Sequence, residues 1–159
     1  MRLVVFSDSH GNFDALHTIV QSHPEADGFV HLGDGEKELE ELEWACKEKT
    51  FYFVHGNCDD GFATKSMELL VLEGVRIFLT HGDIFSVKYD LLHLKYEARG
   101  RKAKLVLFGH THIPHQECDN GLYLFNPGSV SYPRVGSPTY GVVDILPEGI
   151  ATSIVELKK

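Results

Sequence analysis

Short apolar runs recur along this chain, and most of them end in Gly, Asp, Asn or His. Leu3–Phe6 is apolar throughout, as a strand buried on both faces is. Gly11-Asn12 turns the chain, and Phe13, Leu16, Ile19 and Val20 follow at helical spacing within Phe13–Ser22. Phe29–Leu32 predicts a second strand and Phe51–Val54 a third. Between them, Glu36–Lys49 predicts an amphipathic helix with Leu39, Leu42, Ala45 and Cys46 inward and its acidic residues as a solvated face. Strand, polar turn and helix in repeated order signal a parallel sheet covered by helices, which binds ligands beyond the carboxyl ends of its strands.

The pattern changes after about residue 60. Met67–Leu72 and Val75–Thr80 flank Glu73-Gly74, a tight hairpin signal. Val87–Arg99 predicts a helix packed through Tyr89, Leu92 and Tyr96, with Gly100 as its C-cap. Leu105–Phe108 is another buried strand. His115–Cys118 and Leu122–Phe125 flank Asp119-Asn120-Gly121, and Tyr140–Leu146 and Ile150–Leu157 flank Pro147-Glu148-Gly149, two further hairpins. Asn126–Thr139, rich in Pro, Gly and Ser, reads as a loop. The architecture expected is mixed α/β: two packed β-sheets flanked by helices, in one domain over residues 1–159.

Composition narrows the function. A formal charge of −8, with acidic residues crowded into 36–48, argues against duplex nucleic acid or a membrane surface as partner. Three cysteines without a Cys-x-x-Cys pair imply no disulfide framework and a reducing, cytoplasmic setting. No apolar run reaches the length of a signal-peptide core or a membrane span.

Chemistry concentrates at the strand ends. Asp8 and His10 follow the first strand, Asp34 the second and Asn57 the third; His81 ends a hairpin arm, and Gly109 introduces His110 and His112. On an extended segment residues i and i+2 leave the same face, so His110 and His112 are expected to turn toward one centre. Two carboxylates, one amide oxygen and four imidazoles, with no thiolate, suit borderline divalent ions: manganese first, with nickel, zinc, iron or cobalt as alternatives. Seven donors exceed the three that a catalytic zinc takes and match two ions sharing one carboxylate. Such a centre draws in an anionic phosphoester despite the acidic surface. No P-loop, Rossmann fingerprint or nucleophile elbow competes with it.

The ordered set Asp8-x-His10, Gly33-Asp34, Gly56-Asn57-Cys58-Asp59, His81-Gly82-Asp83 and Gly109-His110-Thr111-His112 resembles the calcineurin-like metallophosphoesterase superfamily over residues 3 to about 130. The short length, Gly-Asn-Cys-Asp and Asn126-Pro127-Gly128-Ser129 are similar to its small prokaryotic phosphodiesterase branch. The resemblance implies one metal on Asp8, His10, Asp34 and His112 and a second on Asp34, Asn57, His81 and His110, with a metal-bridging hydroxide attacking phosphorus in line. Asp34, Asn57, Cys58 and His110 are then the candidate catalytic residues. Cys58 departs from the pattern, since many members carry His there to protonate the leaving group. A thiol is the poorer acid for an alkoxide.

The function expected is a metal-dependent phosphodiesterase acting on a small phosphoester; a phosphomonoesterase is the alternative within the same chemistry. A protein-interaction scaffold is the alternative outside it, because the retromer scaffold subunit resembles this fold with a degraded metal site. His31 and His55 are expected to support or pack against the ligands, and Asp59 and Asp83 to orient them. Asn126 is a candidate to close the site from below, with simple turn chemistry as the alternative; Arg134 reads first as a solvated loop arginine, with contact to a second substrate phosphate as the alternative. Edge strands of the hairpins leave pairing into a homo-oligomer open.

Overall fold

The computed structural model describes residues 1–60 and 64–158. The first sheet has the order β10-β9-β1-β2-β3, from β1 (Arg2–Phe6), β2 (Gly28–His31), β3 (Phe51–Phe53), β9 (Thr139–Leu146) and β10 (Gly149–Glu156). The second has the order β4-β5-β6-β8-β7, from β4 (Met67–Leu72), β5 (Val75–Thr80), β6 (Leu105–Leu107), β7 (His115–Asp119) and β8 (Leu122–Asn126). Strands β1, β2 and β3 run parallel, as do β5, β6 and β8.

Alternation along the apolar runs explains the layers. Leu3 and Val5 of β1 meet Ile77, Leu79, Leu105 and Leu107 between the sheets. Val4 and Phe6 point the other way, onto Leu16 and Ile19 of α1 (Phe13–Ser22) and Leu39 and Leu42 of α2 (Glu36–Ala45). Phe78, Val106 and Phe108 likewise face Leu94 and Ala98 of α3 (Leu92–Gly100). Central strands are therefore buried on both faces, which is why they read as continuous apolar runs rather than alternating ones.

The hairpin expectations hold: Glu73-Gly74 and Asn120-Gly121 both sit at positive φ, as a two-residue turn between twisted strands requires. Four helical expectations are corrected. Helix α2 stops at Ala45, and a tighter turn carries Cys46 to Lys49. Helix α3 starts at Leu92 rather than Val87, because a 3₁₀ turn over Asp83–Phe85 and a left-handed Ser86 precede it and Asp90 accepts the Leu92 N–H at 2.9 Å. Its buried stripe is Leu94 and Ala98, while Tyr89, Leu92 and Tyr96 are 91, 69 and 82% exposed. Both stripes recur at helical spacing, and only the one facing Phe78 and Phe108 finds a partner. Finally, Lys102 (φ +56), not Gly100, takes the left-handed C-terminal position: Lys102 N–H donates to Arg99 and Ala103 N–H to Ala98, a Schellman ending.

Candidate metal centre

The parallel strands of both sheets deliver their carboxyl ends to one cleft, and the turns there are strained. Asp8, His10, Asp34, His110 and His112 all have φ between +44° and +69°. A left-handed non-glycine residue costs about 1–2 kcal/mol, and Asp, Asn and His tolerate it better than most. Strain of this kind persists where surrounding bonds over-determine the backbone, and it gathers at functional sites. It also corrects the expected geometry of the histidine pair. The segment is turned, not extended, so His110 and His112 diverge: His110 Nδ1 lies 3.1 Å from His81 Nε2, and His112 Nε2 lies 3.4 Å from His10 Nε2.

Each carboxylate ties one oxygen to the protein and turns the other to the imidazoles. Asp8 Oδ2 accepts from Ser7 Oγ at 2.6 Å and from the His110 N–H at 3.1 Å. Its Oδ1 is buried and has no hydrogen-bond partner, although His112 Nε2 stands 3.1 Å away and His81 Nε2 3.8 Å. Asp34 Oδ1 accepts the Cys58 N–H at 2.9 Å, and its Oδ2 faces His81 Nε2 at 3.3 Å and His10 Nε2 at 3.8 Å.

The ring protons explain why these approaches are not bonds. His81 Nδ1 lies 2.6 Å from the Leu32 carbonyl, and His112 Nδ1 lies 2.7 Å from the Tyr132 carbonyl. A carbonyl only accepts, so in the neutral rings Nδ1 carries the proton and Nε2 aims a lone pair at a carboxylate oxygen. Two acceptors then face each other across the cleft, an arrangement that a cation or a proton between them would relieve. Without a metal, protons fill the demand. Burial opposes the His81 imidazolium, but Asp34 and Asp8 outweigh it and push the pKa up to about 9. His112 is raised through Asp8, and burial of Asp8 and Asp34 is outweighed by the neighbouring imidazoles, which hold both well below the usual carboxylate range. His110 is lowered by burial and then by the charge of His81.

Donor atoms of Asp8, His10 and His112 lie within 4.8 Å of one another, as do those of Asp34, His81 and His110, and those of His10, Asp34 and Cys58. An orphaned buried oxygen among fixed lone pairs fits a divalent ion. Two of the glycines are there for closeness: a Cβ on Gly109 would come 2.1 Å from Ser7 Oγ, and one on Gly56 would come 2.1 Å from Asp34 Oδ1. Asn57 and Cys58 stand exposed at the rim, where Asn57 Nδ2 lies 3.6 Å from Cys58 Sγ. Burial and then Asp34 push the Cys58 thiol up.

Around the cluster, Asp59 does more than orient one ligand. Its two oxygens accept the N–H groups of Asp34, Gly35, Glu36 and Gly56 at 2.8–3.0 Å, pinning the turn that carries Asp34. His31 is fully buried, and its Nδ1 accepts the Gly33 N–H at 3.0 Å. Its Nε2–H therefore meets Ser9 Oγ at 2.9 Å, and Ser9 in turn donates to Glu38 at 2.7 Å. Glu38, taken with the solvated acidic face of its helix, is buried and also accepts the Gly11 N–H at 2.6 Å. Its position three residues past Gly35, one turn into the helix, was the available signal. Asn126 closes the histidine turn by donating to the Gly109 carbonyl and Thr111 Oγ1, both at 3.0 Å. Ser129 and Ser131 donate to the carbonyls of Asp8 and Ser9 at 2.8 and 2.7 Å, fixing the first ligand turn. The Asn126-Pro127-Gly128-Ser129 motif marks Ser129 without showing the bond it makes, and Ser131 lies outside it. His55 bonds the Thr64 carbonyl at 2.9 Å, away from the ligand atoms.

The family model of the calcineurin-like phosphoesterase superfamily domain matches residues 1–147. A probable metallophosphoesterase of Bacillus subtilis, YsnB, is 36% identical over 136 residues, covering 85% of this chain and 78% of its own. The phosphodiesterase YfcE of Escherichia coli is 31% identical over 170 residues, covering 91% and 88%. The crystal structure of a predicted phosphoesterase from Streptococcus pneumoniae shares the fold with a TM-score of 0.81, at 24% identity over 97% of each chain.

Proposed function

This chain belongs to the calcineurin-like phosphoesterase superfamily, and from that premise we propose that it is a metal-dependent phosphodiesterase with a dinuclear centre. One observation carries the reading: the buried, unpartnered Asp8 Oδ1 confronts imidazole lone pairs that two carbonyls hold in place. Asp8, His10, Asp34 and His112 would hold one ion, and Asp34, Asn57, His81 and His110 the other, with manganese the first choice. Two divalent ions supply an activated water and the positive charge that a phosphoryl transition state requires.

The chain's own residues set the stage for that chemistry. Cys58 N–H fixes Asp34 through Oδ1 and leaves Oδ2 to be shared between the two donor groups. Leu32 and Tyr132 carbonyls hold the rings in the tautomer that presents Nε2. Cys58, its thiol pushed up by burial and Asp34, stands exposed at the rim beside Asn57, where a leaving oxygen would depart. A protonated thiol suits a nitrophenolate or another good leaving group better than an alkoxide. The free cysteines and the lack of any described helix long and apolar enough to cross a membrane accord with a cytoplasmic protein acting on a small phosphoester.

The test is reconstitution. Chelator-stripped protein receives Mn²⁺, Ni²⁺, Zn²⁺ or Mg²⁺ singly and is assayed on bis(p-nitrophenyl) phosphate and p-nitrophenyl phosphate, with Asp34→Asn as control. Metal-restored turnover favouring the diester, absent in Asp34→Asn, is expected. Preference for the monoester would make it a phosphomonoesterase. Failure of every metal on both substrates would leave the scaffold reading.

A further inference from the structure

Beside the histidine turn lies a groove of about 410 Å³ whose lining includes Thr111 but not Cys58. Thr111, between the two ligand histidines, forms one end; Phe108, Ile113 and Tyr89 supply apolar walls; Lys88 and Arg134 stand on its rim. Tyr89 is 91% exposed, so its ring face is free for contact. Among the described residues neither Lys88 nor Arg134 has an ion-pair partner, so neither charge is already neutralised by a carboxylate. The one acidic side chain on the groove, Asp90, is engaged by the Leu92 N–H.

Both cations stand near the histidine turn without touching its ligand atoms. Arg134 N–H donates to the His112 carbonyl at 3.1 Å, which holds the loop against the ligand turn. Lys88 lines the same groove as Thr111, the residue between His110 and His112. The smaller pocket of about 220 Å³ is lined by four acids, Asp34, Glu36, Asp59 and Asp60, against one lysine, Lys37. An anionic arm of a substrate therefore meets an excess of cations only in the groove beside Thr111, where Lys88 and Arg134 stand against Asp90.

We propose that this groove binds one arm of the phosphodiester substrate, an arm carrying an aromatic ring and a second phosphate, as a nucleoside phosphate does. The ring lies against Tyr89 and Ile113, where a stacked base gains from any exposed aromatic face. The second phosphate sits between Lys88 and Arg134, where a guanidinium offers paired donors and an ammonium a point charge. The site rests on the phosphodiesterase reading for its place in a reaction, but binding to the groove does not need the metals.

The experiment uses two readouts. With Mn²⁺-loaded enzyme, kcat/KM is compared for thymidine 3′-phosphate 5′-(p-nitrophenyl phosphate) and methyl p-nitrophenyl phosphate, in wild type, in Lys88→Met/Arg134→Met and in Tyr89→Ala. Lys88, Tyr89 and Arg134 are all exposed, so the variants should fold. The double variant is expected to lose about tenfold or more on the nucleotide ester, about 1.4 kcal/mol, and to stay within about twofold on the methyl ester, as two exposed charge contacts allow. An equal effect on both esters, or none, would overturn the groove. The second readout is calorimetric binding of thymidine 3′,5′-bisphosphate in chelator. Binding by wild type that weakens in both variants supports the groove even if no ester is turned over, in which case the phosphodiesterase reading alone fails. Equal binding by all three proteins, or none, overturns it.

Discussion

Asp59→Asn probes how the strained turn at Asp34 is held. The carboxylate accepts four backbone N–H bonds, two on each oxygen: Gly35 and Glu36 on Oδ1, Asp34 and Gly56 on Oδ2. An asparagine keeps one oxygen and two of those bonds. Its amide nitrogen then confronts two N–H donors, which lose their acceptor and gain a like neighbour. Bonds to a charged acceptor contribute about 1.5–3 kcal/mol each. Asp59 is half-buried, so water compensates part of the loss, and the expected cost is about 2–3 kcal/mol, a fall in Tm of about 5–10 °C for a chain of this size. The metal site should suffer too, because Asp34 sits at φ +59 only as long as its N–H is anchored. Mutation of groups that orient ligands typically lowers metal affinity about 10- to 100-fold. Urea unfolding in chelator measures the first effect and Mn²⁺ titration calorimetry the second, with Asp60→Asn, an exposed neighbour, as control. If Asp59→Asn unfolds within about 0.5 kcal/mol of Asp60→Asn, the range of an ordinary surface change, and binds Mn²⁺ normally, Asp59 does not hold the turn.

Three further predictions address other parts of the molecule. Burial, against the pull of Asp59 and Glu38, depresses the His31 pKa to about 4; its stability contribution is therefore complete above the unfolded value near 6.5 and lost as pH falls toward 4, about 2 kcal/mol of it between pH 6.5 and 5. Urea midpoints in chelator should decline over that window in wild type and decline less in His31→Gln, and parallel curves would contradict the neutral-ring reading. Cys58→His should raise turnover of an alkyl ester by about tenfold or more, within the range for an added general acid, while a nitrophenyl ester changes little; equal effects on both would reduce Cys58 to packing. Gly109→Ala places a Cβ 2.1 Å from Ser7 Oγ and 3.0 Å from Asp8 Oδ2, and should cost about 1–3 kcal/mol with weakened Mn²⁺ binding, whereas Gly136→Ala, with open space around it, should leave Mn²⁺ binding intact.

How much of this was legible in the sequence depends on whether a feature is local. The strands were legible because burial on both faces leaves an unbroken apolar run, and the candidate ligand positions stand out because each follows such a run. Helix α3 was not, since Tyr89, Leu92 and Tyr96 recur at helical spacing as well as Leu94 and Ala98 do, and only the tertiary partner decides which stripe turns inward. The histidine pair was found for a reason that the backbone contradicts. Spacing of i and i+2 implies a shared face only on an extended chain, and left-handed turns at His110 and His112 separate the rings.

The supports were the least legible part, and the reason is physical. A ligand announces itself by residue type, since few side chains bind a metal. A support acts through ordinary hydrogen bonds that any Ser, Asp or Glu can make, across sequence distances no pattern spans: Ser129 reaches the Asp8 carbonyl 121 residues away, and Asp59 the Asp34 N–H 25 residues away. Glu38 looked like one more acid on a solvated helix, although burial beside Ser9 and Gly11 makes it part of the scaffold under His10. Strain and support are then two sides of one arrangement. Left-handed turns at five of the seven candidate ligands point short side chains back into the cleft, and the bonds from Asp59, Asn126, Ser129 and Ser131 supply the constraint that turns of that kind need to persist. On this reasoning the metal-free site is preorganised, and metal binding should require little backbone rearrangement.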